Sequence, residues 1–72
     1  MSAKTLATLT NTNGNAWILA DARTGNILTG LTGTEALVLK SAAASLVADH
    51  HYPEGGTWVQ RGPGRHCYRI EQ

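Results

Sequence analysis

Runs of β-favouring residues separated by turn residues fill both ends of the chain, and a run with helical spacing fills its middle. Thr5 to Thr12 is rich in Thr and Leu and predicts a first strand. It ends at Asn13-Gly14, the dipeptide that best tolerates the positive φ angles of a tight I′ hairpin turn. A second strand, Ala16 to Asp21, carries Trp17, Ile18 and Leu19. Ala22-Arg23-Thr24-Gly25-Asn26 then reads as a longer hairpin loop, closed by Gly25 in a left-handed position, and a third strand spans Ile27 to Leu31.

Thr32 and Glu35 have the spacing of a capping box, in which hydroxyl and carboxylate satisfy the open backbone amides of a helix start. Ala36, Leu39, Ala43, Leu46, Val47 and His50 recur at three- and four-residue steps and predict the packing face of a helix. Its alanines are small enough to let the backbone approach a sheet closely. Pro53 drives Tyr52 away from helical angles and Gly55-Gly56 completes the break, so the helix ends near His51.

Thr57 to Arg61 and Arg65 to Ile70 form a last hairpin around Gly62-Pro63-Gly64, and the turn decides which residues share a face. A three-residue Gly62-Pro63-Gly64 loop puts Trp58, Gln60, His66, Tyr68 and Ile70 on one side and Arg61, Arg65, Cys67 and Arg69 on the other. A two-residue Pro63-Gly64 turn would set Trp58 opposite Arg69 and divide the basic cluster. The three-residue register is preferred because it joins Trp58, Tyr68 and Ile70 into an apolar set large enough to meet the helix.

The element order is therefore β-β-β-α-β-β. It implies an α+β domain with a small antiparallel sheet of four to five strands and one helix packed on one face. From Ala16 onward the hairpin, helix, hairpin order resembles the β-grasp arrangement with an added N-terminal strand, an alternative that carries no function with it. At 72 residues, residues 1–72 form one small domain. The initiating Met1 and the lack of a tag read as a complete small gene product.

Composition narrows the function classes. With 42% hydrophobic and 15% charged residues the chain has the material to fold, and a net charge of +1 is far from a histone-like polycation. The lone Cys67 can form no internal disulfide, no segment is long and apolar enough to span a bilayer, and no signal peptide is evident, which together suggest a cytoplasmic protein.

The strongest constellation is basic: Arg61, Arg65 and Arg69, with His66 and Gln60, on a projecting ribbon that could meet phosphates or a partner protein. Trp58 and Tyr68 could stack on bases. The plainer reading is that the arginines solubilise an edge hairpin while the aromatics fill the core. His50, His51, His66 and Cys67, with Asp49 and Glu54 nearby in sequence, fit no familiar zinc spacing, so no metal or cofactor is expected. No catalytic residues are assigned, because paired carboxylates and a phosphate-cradling glycine loop are both missing. The expectation is a small non-enzymatic binding or regulatory protein that engages another protein, an inhibitor or accessory factor of the phage or mobile-element kind judged from size alone. Nucleic-acid binding through the basic hairpin is the alternative, and an exposed edge strand offers a route to a homodimer.

Overall fold

A computed structural model describes residues 3–71. Strands β1 (Ala3–Asn13), β2 (Ala16–Asp21), β3 (Ile27–Thr32), β4 (Thr57–Gly62) and β5 (Arg65–Glu71) form one antiparallel sheet, and helix α1 (Glu35–His50) covers one of its faces. The strand order is β3-β2-β1-β5-β4, so the longest strand lies at the centre. The two hairpins that flank the helix do not pair with each other, because β1 lies between them and pairs with both β2 and β5. The N-terminal strand is thus the middle of the sheet rather than an addition to a β-grasp-like unit.

The core forms where period-two burial on the strands meets period-four burial on the helix. Ala7 and Leu9 of β1, Trp17 and Leu19 of β2 and Tyr68 of β5 pack against Val38, Ala42 and Leu46 of α1. The helix face differs from the predicted one. Val38 and Ala42 are buried where the spacing picked out Ala36, which is exposed, and Val47 and His50, which are only half-buried. Apolar residues occur all round this helix, so several stripes satisfy the same spacing. The sheet selects the one with alanine at its middle, where close approach is possible.

The predicted capping box does not form. The N-cap is Thr34, without a side-chain cap bond, and the Glu35 carboxylate reaches across to His66 instead of back to a backbone amide. At the other end His51 takes the left-handed conformation (φ 60°) and the Tyr52 amide donates to the Leu46 carbonyl at 2.9 Å. A side chain there costs what glycine avoids. His51→Gly is expected to raise stability by roughly 0.5–1 kcal/mol in urea denaturation, helical content being unchanged.

The first hairpin turns one residue later than predicted. Asn13 pairs with Ala16 across Gly14-Asn15, with Gly14 at φ 57° as the first central residue and a bulge in β1 absorbing the shift. The last hairpin combines both turn geometries weighed from sequence. Gly62 pairs with Arg65 across Pro63-Gly64, yet the arms hold the three-residue register, Trp58 opposite Tyr68 and Gln60 opposite His66, because Arg61 is bulged out. Gly64 is irreplaceable by geometry: its φ is 67° and an added Cβ would lie 2.9 Å from Asn11 Cβ. Asn11 ties the two hairpin tips together, its backbone N–H donating to Gly64 O at 2.8 Å and its side-chain amide to Gly14 O at 2.9 Å.

Candidate functional site

Alternation along the strands leaves the second face of the sheet without a covering layer among the described residues. One row crosses it from edge to edge: Ile27, Ala20, Thr8, Cys67 and Val59, each paired with the next. Ile27 is 67% exposed and the other four are half-buried. Ile18 lies in the neighbouring row, between Gly30 and Thr10. Arg65 and Arg69 bracket Cys67 on β5, each paired with a threonine of β1, Thr10 and Thr5 respectively. Four residues of strand separate them by about 13 Å. No Asp or Glu occupies the face between them; Glu71 stands at its end.

The predicted basic group is only partly brought together. Arg65 and Arg69 share the uncovered face, while Arg61 is the bulged residue beside Arg65, its direction set by the bulge rather than by alternation. Gln60 is exposed on the edge strand, its amide donating to Gly62 O at 3.3 Å. His66 is turned the other way. It is 6% exposed, its Nε2 lies 2.7 Å from Glu35 Oε2, and its ring centroid is 6.0 Å from that of Trp17. This is the one contact of salt-bridge length among the described residues, so the arginines have no carboxylate partner there.

The aromatics also belong to the covered face. Trp58 meets Tyr68 edge-on at 5.2 Å and donates its indole N–H to the Leu39 carbonyl at 2.9 Å, so neither ring is offered to a base from the uncovered side. Cys67 and His66 alternate to opposite faces, and His50 and His51 lie at the far end of α1. Among the described residues no three metal-ligating side chains come together.

Sequence reasoning missed a second polar cluster. Asp21 Oδ1 accepts the backbone N–H groups of Arg23 and Thr24 at 2.8 and 2.9 Å, and Oδ2 accepts the Tyr52 hydroxyl. Its trace in the sequence is the Asp-x-x-Thr-Gly turn, which explains the amides but not a tyrosine 31 residues away. The Tyr52 hydrogen bond, then that of Thr24, holds the Asp21 carboxyl at about 2, against an ordinary 3.8. Burial, then the Asp21 hydrogen bond and charge, pushes Tyr52 from 10.0 up to about 12.

The sign follows for each group. Asp21, with its pKa depressed in the fold, contributes above its unfolded value and loses that contribution as pH falls from about 4 to 2. Tyr52, with its pKa raised, contributes below its unfolded value and loses it as pH rises from 10 towards 12. Urea midpoints measured across pH are expected to fall at both extremes, and Tyr52→Phe to flatten both limbs. Unchanged limbs in that variant would assign the pH dependence elsewhere.

Both titratable pairs therefore tie elements of the fold together, and the uncovered sheet face is the surface with nothing assigned to it. No helix among the described residues is long and apolar enough to cross a membrane. No family model, curated protein or solved structure matches the chain, so this surface is interpreted from its own geometry.

Proposed function

We propose that this is a non-enzymatic binding protein whose uncovered sheet face docks on another protein, one that presents acidic groups around an apolar centre. The observation that carries the reading is the apolar row from Ile27 to Val59 with Arg65 and Arg69 beside it, both without a carboxylate partner among the described residues. Interface centres are poor in Lys, Asp and Glu and rich in Arg and aromatics; this face shares the lack of acidic residues and the arginines, and carries no aromatic among the described residues. A second copy of the same face would set arginine against arginine, so charge favours a different partner carrying carboxylates. The Asp21–Tyr52 and Glu35–His66 pairs serve the fold, which supports binding over catalysis. Such a protein acts as an inhibitor or accessory factor by occupying its partner's surface.

The test is nuclease-treated affinity capture from the source cells, with wild type and two face variants, Ile18→Asp and Arg65→Ala/Arg69→Ala, each verified as folded by circular dichroism. An acidic protein held by wild type and weakened about 30-fold or more by Ile18→Asp is the expected result. Capture indifferent to both variants would remove the face from the interaction. The arginines also suit phosphates, and nucleic acid retained at low salt and lost steeply as salt rises would favour that reading instead.

A further inference from the structure

A cavity of about 460 Å³ opens at the Arg69 end of the uncovered face. It falls within the range of small-molecule pockets, at the lower end. Arg69, Glu54 and Glu71 supply charge to its wall, and Ala3, Val59 and Ile70 supply apolar surface. Two features of Arg69 stand out. Its Nε–H is sealed from solvent with no hydrogen-bond acceptor among the described residues, and neither glutamate comes within 4.0 Å of it as an ion pair. The terminal N–H groups of a guanidinium are built to hold a planar carboxylate through paired bonds, and the sealed Nε–H beside them serves as a reporter rather than as the binding atom.

The opposed charges decide the ligand class. A simple anion would sit on Arg69 but face two carboxylates, and a simple cation would meet the glutamates but face the guanidinium. A neutral apolar molecule would strip water from all three and replace it with nothing. A molecule with both charged groups on one carbon and an apolar remainder complements every wall. We propose that the cavity binds a free α-amino acid, its carboxylate on Arg69, its ammonium towards Glu54 and Glu71, and an aliphatic side chain against Val59 and Ala3. The site shares Arg69 and Val59 with the docking face but does not rest on that reading, and its test uses small molecules alone.

L-leucine is titrated into ¹⁵N-labelled protein while the Arg69 Nε–H signal and the amides of Gly55, Thr57, Arg69 and Glu71 are followed by NMR. Saturable shifts are expected, with N-acetyl-leucine and leucinamide, which each lack one charge, binding about tenfold more weakly or worse. Arg69→Gln is expected to erase the difference between leucine and leucinamide, and Glu54→Gln/Glu71→Gln the difference between leucine and N-acetyl-leucine. If a variant fails to fold, the two blocked ligands on wild type still decide the matter. No saturable shift up to about 50 mM leucine, or equal binding of leucine and either blocked form, overturns the proposal.

Discussion

Gly56→Ala is expected to destabilise the fold by roughly 2–4 kcal/mol and lower the melting temperature by at least about 10 °C. The glycine lies in the loop before β4, against the ring of Tyr68. A Cβ built there would lie 2.5 Å from Tyr68 Cε2 and 2.8 Å from its hydroxyl oxygen, far inside contact distance. The ring has little room to yield. It is 2% exposed, Trp58 packs edge-on against it, and its hydroxyl accepts the Gly56 N–H at 3.2 Å and donates to the Pro53 carbonyl at 3.4 Å. Overpacking costs about 1–3 kcal/mol and the displaced hydrogen bond about 0.5–1.5 kcal/mol more. Thermal and urea melts followed by circular dichroism measure the sum. A loss below about 1 kcal/mol would mean that the 51–56 loop shifts freely and does not anchor Tyr68.

The second large effect is asymmetric. Glu35→Ala is expected to cost about 1–3 kcal/mol, because it strands the Nε2 of a histidine that is only 6% exposed. His66→Leu leaves Glu35, 49% exposed, free to regain water, and is expected to be nearly neutral. The double variant Glu35→Ala/His66→Leu should then recover most of the loss, apart from about 0.3–1 kcal/mol for the carboxylate's interaction with the start of α1. Urea denaturation of the four proteins gives the coupling directly. Additive losses would show that His66 does not depend on Glu35.

These two sites mark where sequence reasoning stopped. Every element was legible, because turn chemistry at Gly14, Gly25 and Gly64 and the Pro53-Gly55-Gly56 break are local signals. The α+β architecture followed from their order. The spacing of Glu35 from Thr32 suits a local cap, while its partner lies 31 residues ahead. The same distance separates Asp21 from Tyr52. Short patterns do not encode such cross-chain pairs, and strand order is equally non-local. His66 was grouped with the arginines by adjacency in sequence, although strand alternation in the preferred register already set it with Trp58 and Tyr68. The arms' register was recoverable because it unites those aromatics; the bulge that moves Arg61 was not.

The central position of β1 bears on how the chain acquires its shape. Ala3 pairs with Glu71, so the middle of the sheet closes only when the last strand reaches the first. Closing a loop that spans all the described residues comes at an entropic disadvantage before any core contact between β1 and β5 compensates it. A nascent chain emerging from the ribosome holds β2 and β3 beside a β1 whose other edge is bare, and it cannot complete its core until β5 has been made. The core thus waits on β5, and loss of that strand undoes the centre of the sheet rather than trimming its margin.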